Sequence, residues 1–248
     1  MAFVLLGVFA GVSLSVALAS ARTIYVPDSY TKIQLAIDNA KAGDIIVVRD
    51  GWYFENINVN KSLTIKSENG SANCRVRADN PNDHAIEVKS DHVNISGFSV
   101  RGTTGWKSCG IYLINVNYCG ISNNDCSHTW SGHGIFLNTS FNNTITNNDC
   151  NNCDWDGISI QDSNNNNVSG NECINNNNGI TLKNSNNNII SRNNCKNNNL
   201  FNGMYIKNSN DNIIYLNNLI DNTNNVYPPA STNIWNSTEK ITYTYKER

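Results

Sequence analysis

The sequence predicts an all-β fold in which each stretch of about two dozen residues makes one turn of a parallel solenoid. Three observations predict it. A unit recurs on Gly110, Gly134, Gly157, Gly179 and Gly203, at spacings of 24, 23, 22 and 24 residues. Within each unit the apolar residues alternate as they do along a strand. And 49 of the 248 residues are Asn, most of them after Asn115, a bias that signals either disorder or a repeat architecture.

The chain opens with an uncharged stretch, Ala2 to Ala21, whose apolar run from Phe3 to Ala19 ends in two small-x-small sites, Ala17-Leu18-Ala19 and Ala19-Ser20-Ala21. This reads as a secretory signal over residues 1–21, cut near Ala19 or Ala21. The same segment, residues 2–21, is long enough to stay uncleaved as a membrane anchor. Either way the chain from Arg22 lies outside the cytoplasm, at the cell surface, in the periplasm or in the medium. Seven N-x-S/T sequons, at Asn60, Asn69, Asn94, Asn138, Asn142, Asn167 and Asn236, are compatible with that, although an Asn-rich chain produces sequons by chance.

Residues 22–248 read as one β-helix domain. Asp28 or Ser29 can cap a short helix near 29–40, with Ile33, Ala36, Ile37 and Ala40 on one face, placed to lid the open end of the core. Short strands then follow from Ile45 to Val100. The regular coils occupy 110–225.

Counting each Gly as zero, position +1 holds Ile111, Ile135, Ile158, Ile180 and Met204, and position +3 holds Leu113, Leu137, Ile160, Leu182 and Ile206. Position +11 is Ile or Val, position +14 is Asn in all five units, and position +16 is Cys126, Cys150, Cys173, Cys195 and Leu219. Such a unit is too short to enclose a core, so stacking must supply one. Parallel strands of successive turns would then lie about 4.8 Å apart, with like residues on like. Asn suits the corners, because it tolerates left-handed backbone and bonds locally to the main chain. That stacking interval slightly exceeds the Cβ separation of a disulfide, so the +16 cysteines read as free core thiols.

With 18 basic and 20 acidic side chains and a formal charge of −2, the chain lacks the basic block that binding a nucleic-acid backbone requires. Function should therefore come from outward positions and from the loops between coils. Outward position +2 carries Tyr112, Phe136, Ser159, Thr181 and Tyr205, and the loops before each Gly add Trp106, His128, Trp130, His133, Asp154, Trp155 and Asp156. Of these, Trp106, Tyr112, Trp130, His133, Phe136 and Trp155 are the candidate binding residues, since aromatic faces suit sugar rings. They could equally pack the loops onto the sheet. A row at +15, Asp125, Asp149 and Glu172, could serve glycoside hydrolysis, bind Ca²⁺ through oxygen ligands, or be a solvated edge. Asp154 and Asp156 form a second carboxylate pair. Lys107, Arg101 and His133 are loose candidates for the base of a lyase or epimerase.

The segments Thr31-Lys32-Ile33-Gln34-Leu35-Ala36-Ile37, Gly51-Trp52-Tyr53, Asn60-Lys61-Ser62-Leu63-Thr64-Ile65 and Val93-Asn94-Ile95-Ser96-Gly97-Phe98, with the Gly-Ile coils, make the chain resemble the NosD-like repeat proteins over about Ile24 to Tyr245. That resemblance implies a single-stranded right-handed parallel β-helix, of the kind that hosts lyases, hydrolases, epimerases and carbohydrate-binding modules. In similar enzymes the substrate groove runs along one outward sheet beside such loops. The copper link of the family raises a zinc or copper site from Cys150, Cys153, His128 and His133. The leading expectation is polysaccharide or glycan binding. The alternatives are a polysaccharide hydrolase, lyase or epimerase, and a structural, surface-layer or copper-enzyme assembly protein. Similar proteins continue into a closing stretch where this sequence stops at Lys246-Glu247-Arg248, which suggests a C-terminal end guarded by charge or by self-association through the coil ends.

Overall fold

The computed structural model describes residues 20–227 and 232–235. Residues 1–19 of the expected signal or anchor segment, the sequon at Asn236 and Lys246-Glu247-Arg248 lie outside the described residues. The described chain is a parallel β-solenoid with three faces. The first face is a nine-stranded sheet running from Thr23–Val26 to Ile213–Tyr215, and the second is an eight-stranded sheet from Ile57–Val59 to Asn224–Tyr227. The third face consists of two three-stranded sheets. One holds Gly51–Phe54, Cys74–Arg77 and Ser99–Arg101; the other holds Glu172–Ile174, Asn194–Lys196 and Asn218–Ile220. Single bridges from Ser99 through Asp125 and Asp149 to Glu172 join them.

Register follows the repeat. On the second face Ile86, Ile111, Ile135, Ile158, Ile180, Met204 and Val226 stack in one column. On the first, Ile46, Ile65, Ile95, Ile121, Ile145, Val168, Ile190 and Ile214 do the same. These columns fill the core with branched side chains that a strand accommodates well. Cys126, Cys150, Cys173 and Cys195 complete it as buried free thiols.

Asn does two separate jobs. At exposed corners such as Asn123, Asn147 and Asn175 it adopts left-handed backbone, with φ between 53° and 58°. At position +14 it is buried from Asn124 to Asn193 and half-buried at Asn217, and from Asn148 onward each side-chain oxygen accepts both the backbone N–H and the Nδ2 of the Asn one turn earlier. Asn171 Oδ1, for example, takes Asn148 N at 2.9 Å and Asn148 Nδ2 at 3.0 Å. Parallel ladders run through Asn143, Asn166, Asn188 and Asn212 and through Asn176, Asn198 and Asn222. A fourth runs through Ser140, Ser163, Ser185 and Ser209. Each satisfies backbone N–H groups that a turn between sheets would otherwise bury unpaired.

The helix covers Ile33–Asn39, shorter than the span expected, and its Ile33, Ala36 and Ile37 join the core. Neither Asp28 nor Ser29 caps it. The cap is Glu55, one coil later, whose carboxylate accepts Ile33 N and Gln34 N at 2.9 Å each. Asp28 instead pairs with Arg49.

The loops from the third face to the second are long in the early coils, spanning 78–85, 102–110 and 126–134, and shrink to 175–177 later. They lie against one another as a ridge. Thr104 N bonds Pro81 O at 2.9 Å, Lys107 N bonds Ser131 O at 2.9 Å and Asp154 N bonds Thr129 O at 3.0 Å. Gly132 passes so close to Ser108 that an added Cβ would sit 1.8 Å from its carbonyl oxygen.

Candidate functional site

Where the ridge meets the second face lies a groove of about 430 Å³ lined by His84, Lys107, Tyr112, His133, Phe136 and Trp155, with Asn138 and Gln161 beyond. Its rings form a chain. His84 lies 4.3 Å from Tyr112, Tyr112 is stacked 5.2 Å from Phe136, and His133 lies 4.9 Å from Phe136 and 5.2 Å, edge-on, from Trp155. Trp106 meets Trp155 edge-to-face at 5.1 Å. The Tyr112 hydroxyl accepts a hydrogen bond from Asn138 Nδ2 at 2.9 Å, and burial raises its pKa, so it stays protonated.

A polar ladder from the later coils ends beside this groove, at His133. Asn224 Nδ2 donates to Asn202 Oδ1 at 3.1 Å, Asn202 Nδ2 to Asn178 Oδ1 at 2.8 Å, and Asn178 Nδ2 to Asp156 Oδ1 at 2.7 Å. Asp156 Oδ2 lies 3.4 Å from His133 Nδ1, which accepts the backbone N–H of Asp156 at 3.3 Å. Burial pushes the His133 pKa down, against the opposing pull of Asp156, so the ring is neutral near pH 7. An imidazole that accepts at Nδ1 in the neutral form carries its proton on Nε2. His84 has the same arrangement: its Nδ1 accepts Cys109 N–H at 3.0 Å, and burial lowers its pKa. The groove thus gathers uncharged ring donors, a phenol, amides and one ammonium, a set suited to hydroxyl-rich ligands.

The structure sorts the expected residues into different places. Trp106, Tyr112, His133, Phe136 and Trp155 belong together. Trp130 does not join them: it points down the other flank of the ridge, where with His128 it lines a separate trough holding Trp52 and Phe54. His84, distant in sequence from the loop cluster, is brought in by the coil, because the residue before each Gly position falls at the groove's edge. Asp154 and Asp156 part company. Asp154 is exposed and accepts Ser131 N–H at 3.1 Å, whereas Asp156 is buried at the start of its strand. Ser159 and Thr181, outward by register, are shallow and covered between Phe136 and Tyr205.

The acidic row does stack in register, on the third face, away from the groove. Burial opposes ionisation of Asp125, but the Arg101 guanidinium and Ser127 hydroxyl outweigh it and hold its pKa low. Asp149 is raised, by desolvation and then by the neighbouring charges of Glu172 and Asp125.

Over residues 37–248 the chain matches the family model described as the periplasmic copper-binding protein NosD. The chain belongs to the NosD family. This NosD-family chain is also 43% identical over 108 residues to a cell surface glycoprotein of Methanothermus fervidus, a match covering 43% of the chain but 17% of that relative. Among solved structures it resembles the alginate lyase of Paenibacillus sp. str. FPU-7, with a TM-score of 0.61 at 20% identity, covering 78% of this chain and 76% of the lyase. At that identity the likeness shows a shared fold. The copper in the family's description finds no matching donor set here. Among the described residues no three His, Cys, Asp or Glu side chains are placed to hold a metal ion. Cys150 and Cys153 are sealed in the interior, with burial pushing the Cys153 thiol up to about 12, while His128 and His133 line opposite flanks of the ridge. The expected zinc or copper cluster of this NosD-family chain does not assemble.

Proposed function

We propose that this chain is an exported β-helix module that binds glycan in the second-face groove, at the cell surface or in the periplasm. The observation that carries the reading is the run of rings from His84 to Trp155 beside the neutral amides of Asn138 and Gln161. Stacked aromatic faces bind the apolar faces of sugar rings, and flanking donors and acceptors orient the hydroxyls. The relative's printed name, a cell surface glycoprotein, supports the location.

The test is a glycan-array screen of the chain from Arg22, with and without Ca²⁺, followed by product analysis of every hit. Truncating a central ring anchor removes 1.4 kcal/mol or more, so Trp155→Ala should weaken retention at least about tenfold while thermal stability is nearly kept. Unchanged retention would overturn the reading. A second reading, hydrolysis on the third face, draws on Asp149 and Glu172. They are adjacent in register, and Asp149 has the raised pKa that a proton donor requires. Cleaved products that vanish in Asp149→Asn would favour it.

A further inference from the structure

On the far flank of the ridge a trough of about 730 Å³ opens over the third face, and its floor is part of a small grid of side chains that continues, with Arg75 and Ser99, into an adjoining hollow edged by Asp125 and Asp149. Trp52 and Phe54 alternate outward on one strand, 56% and 54% exposed, their rings stacked at 6.2 Å and 17°. The next strand places Arg75 beside Trp52 and Arg77 beside Phe54, and the one after places Ser99 and Arg101. Trp130, 62% exposed, stands in the ridge wall above.

The arginines are not equivalent. Arg101 is spent, since it pairs with Asp125 and donates to the carbonyls of Val100, Asp125 and Ser127. Arg49, elsewhere, is spent on Asp28 and Glu68. The Arg75 guanidinium lies 5.1 Å over the Trp52 ring, and neither it nor that of Arg77 has a hydrogen bond or ion pair among the described residues. Asp79 lines the trough wall without pairing to either. Two guanidinium forks with unspent donors therefore sit on the strand next to the two exposed rings, that of Arg75 over Trp52 and that of Arg77 in register with Phe54.

We infer that this grid is a second saccharide site, distinct from the second-face groove and selective for chains bearing carboxylate or sulfate groups. A ring resting on Trp52 and Phe54 turns its acidic substituent toward Arg75 and Arg77, whose planar donors match a carboxylate or sulfate bidentately. A neutral sugar in the same place would cover the guanidiniums and leave their donors unmet, which penalises it. Overall charge does not explain such a preference, because the whole chain is slightly acidic at −2. The attraction is local. With a binding face on each flank of one ridge, a single molecule can hold two saccharide strands at once.

The experiment measures retention of polygalacturonate, dextran sulfate and neutral dextran by the chain from Arg22. Wild type should hold at least one polyanion about tenfold more tightly than dextran, and Arg75→Gln with Arg77→Gln should abolish that margin, the loss being about 1.4 kcal/mol or more. Trp52→Ala should weaken retention comparably. Lys183→Gln with Lys207→Gln removes the same charge from the second face and should leave retention unchanged. Whether the carboxylate or the sulfate polymer is held better identifies the substituent. Equal retention of dextran, no retention of either polyanion, or full retention by the double arginine variant would overturn the inference. Loss in Trp155→Ala with none in the arginine variant would place the acidic chain in the other groove and overturn it too. Should Trp52→Ala unfold, the exposed arginine pair still decides.

Discussion

The same amino acid is used here in two opposed environments, and the difference is measurable. Asn171 is buried, its oxygen accepting two hydrogen bonds from Asn148 and its Nδ2 donating to Ile145 O and Asn193 Oδ1. Asn175, four residues on, is exposed with φ of 58°. Truncating Asn171 strands buried donors of Asn148, each costing about 1 to 3 kcal/mol, so Asn171→Ala should lower the urea-unfolding free energy by about 2 to 3 kcal/mol. Asn175→Ala meets only backbone strain and should cost about 1 kcal/mol or less. Equal costs would mean the ladders do not carry stability. The +14 position and the corner Asn were legible in sequence, because both recur in every unit. The other two Asn ladders were not, since their early rungs are occupied by Cys119 and Cys153, which break the pattern while their N–H groups still donate to Asn143 and Asn176.

At the scale of elements, strand positions were legible from alternation, while anything that joins one coil to another was hidden. The helix shows why. Local sequence offers Asp28 and Ser29 as caps, yet stacking delivers Glu55 from the next turn to Ile33 and Gln34. Glu55→Ala should cost about 1 to 2 kcal/mol and speed amide exchange at Ile33 and Gln34 while leaving Ile190 protected. Unchanged exchange at the helix start would show that the cap is dispensable. The ridge obeys the same logic. Trp130 and Trp155 come from consecutive loops yet face opposite flanks, and His84 reaches Tyr112 only because it precedes the same register position one coil earlier. Trp52, Phe54, Arg75 and Arg77 alternate in sequence as unremarkable strand residues; their grouping needs the register of two strands.

For the whole molecule, one continuous core means that protection is collective. All eight cysteines are free and buried, and burial, the largest cause, pushes the thiols of Cys74, Cys109 and Cys153 up to about 12. At pH 8 those three carry almost no thiolate and all eight are shielded from solvent, so a disulfide-exchange reagent should leave the native chain unlabelled and label all eight in denaturant. Rapid native labelling of any one would show that part of the coil opens alone. The ladders add a direction to this picture. Strand pairing and Asn-to-Asn bonds alike link each turn to the next, so they lie along the axis of the stack, and each turn touches only its neighbours. A tug on the two ends along that axis is carried by every rung in series, so the weakest parts first, and each rung that parts pays out roughly 70 Å of slack from its two dozen residues. The protein is thus built as a row of stitches: stiff under gentle strain, then lengthening in equal steps, which suits a tether that must yield without snapping.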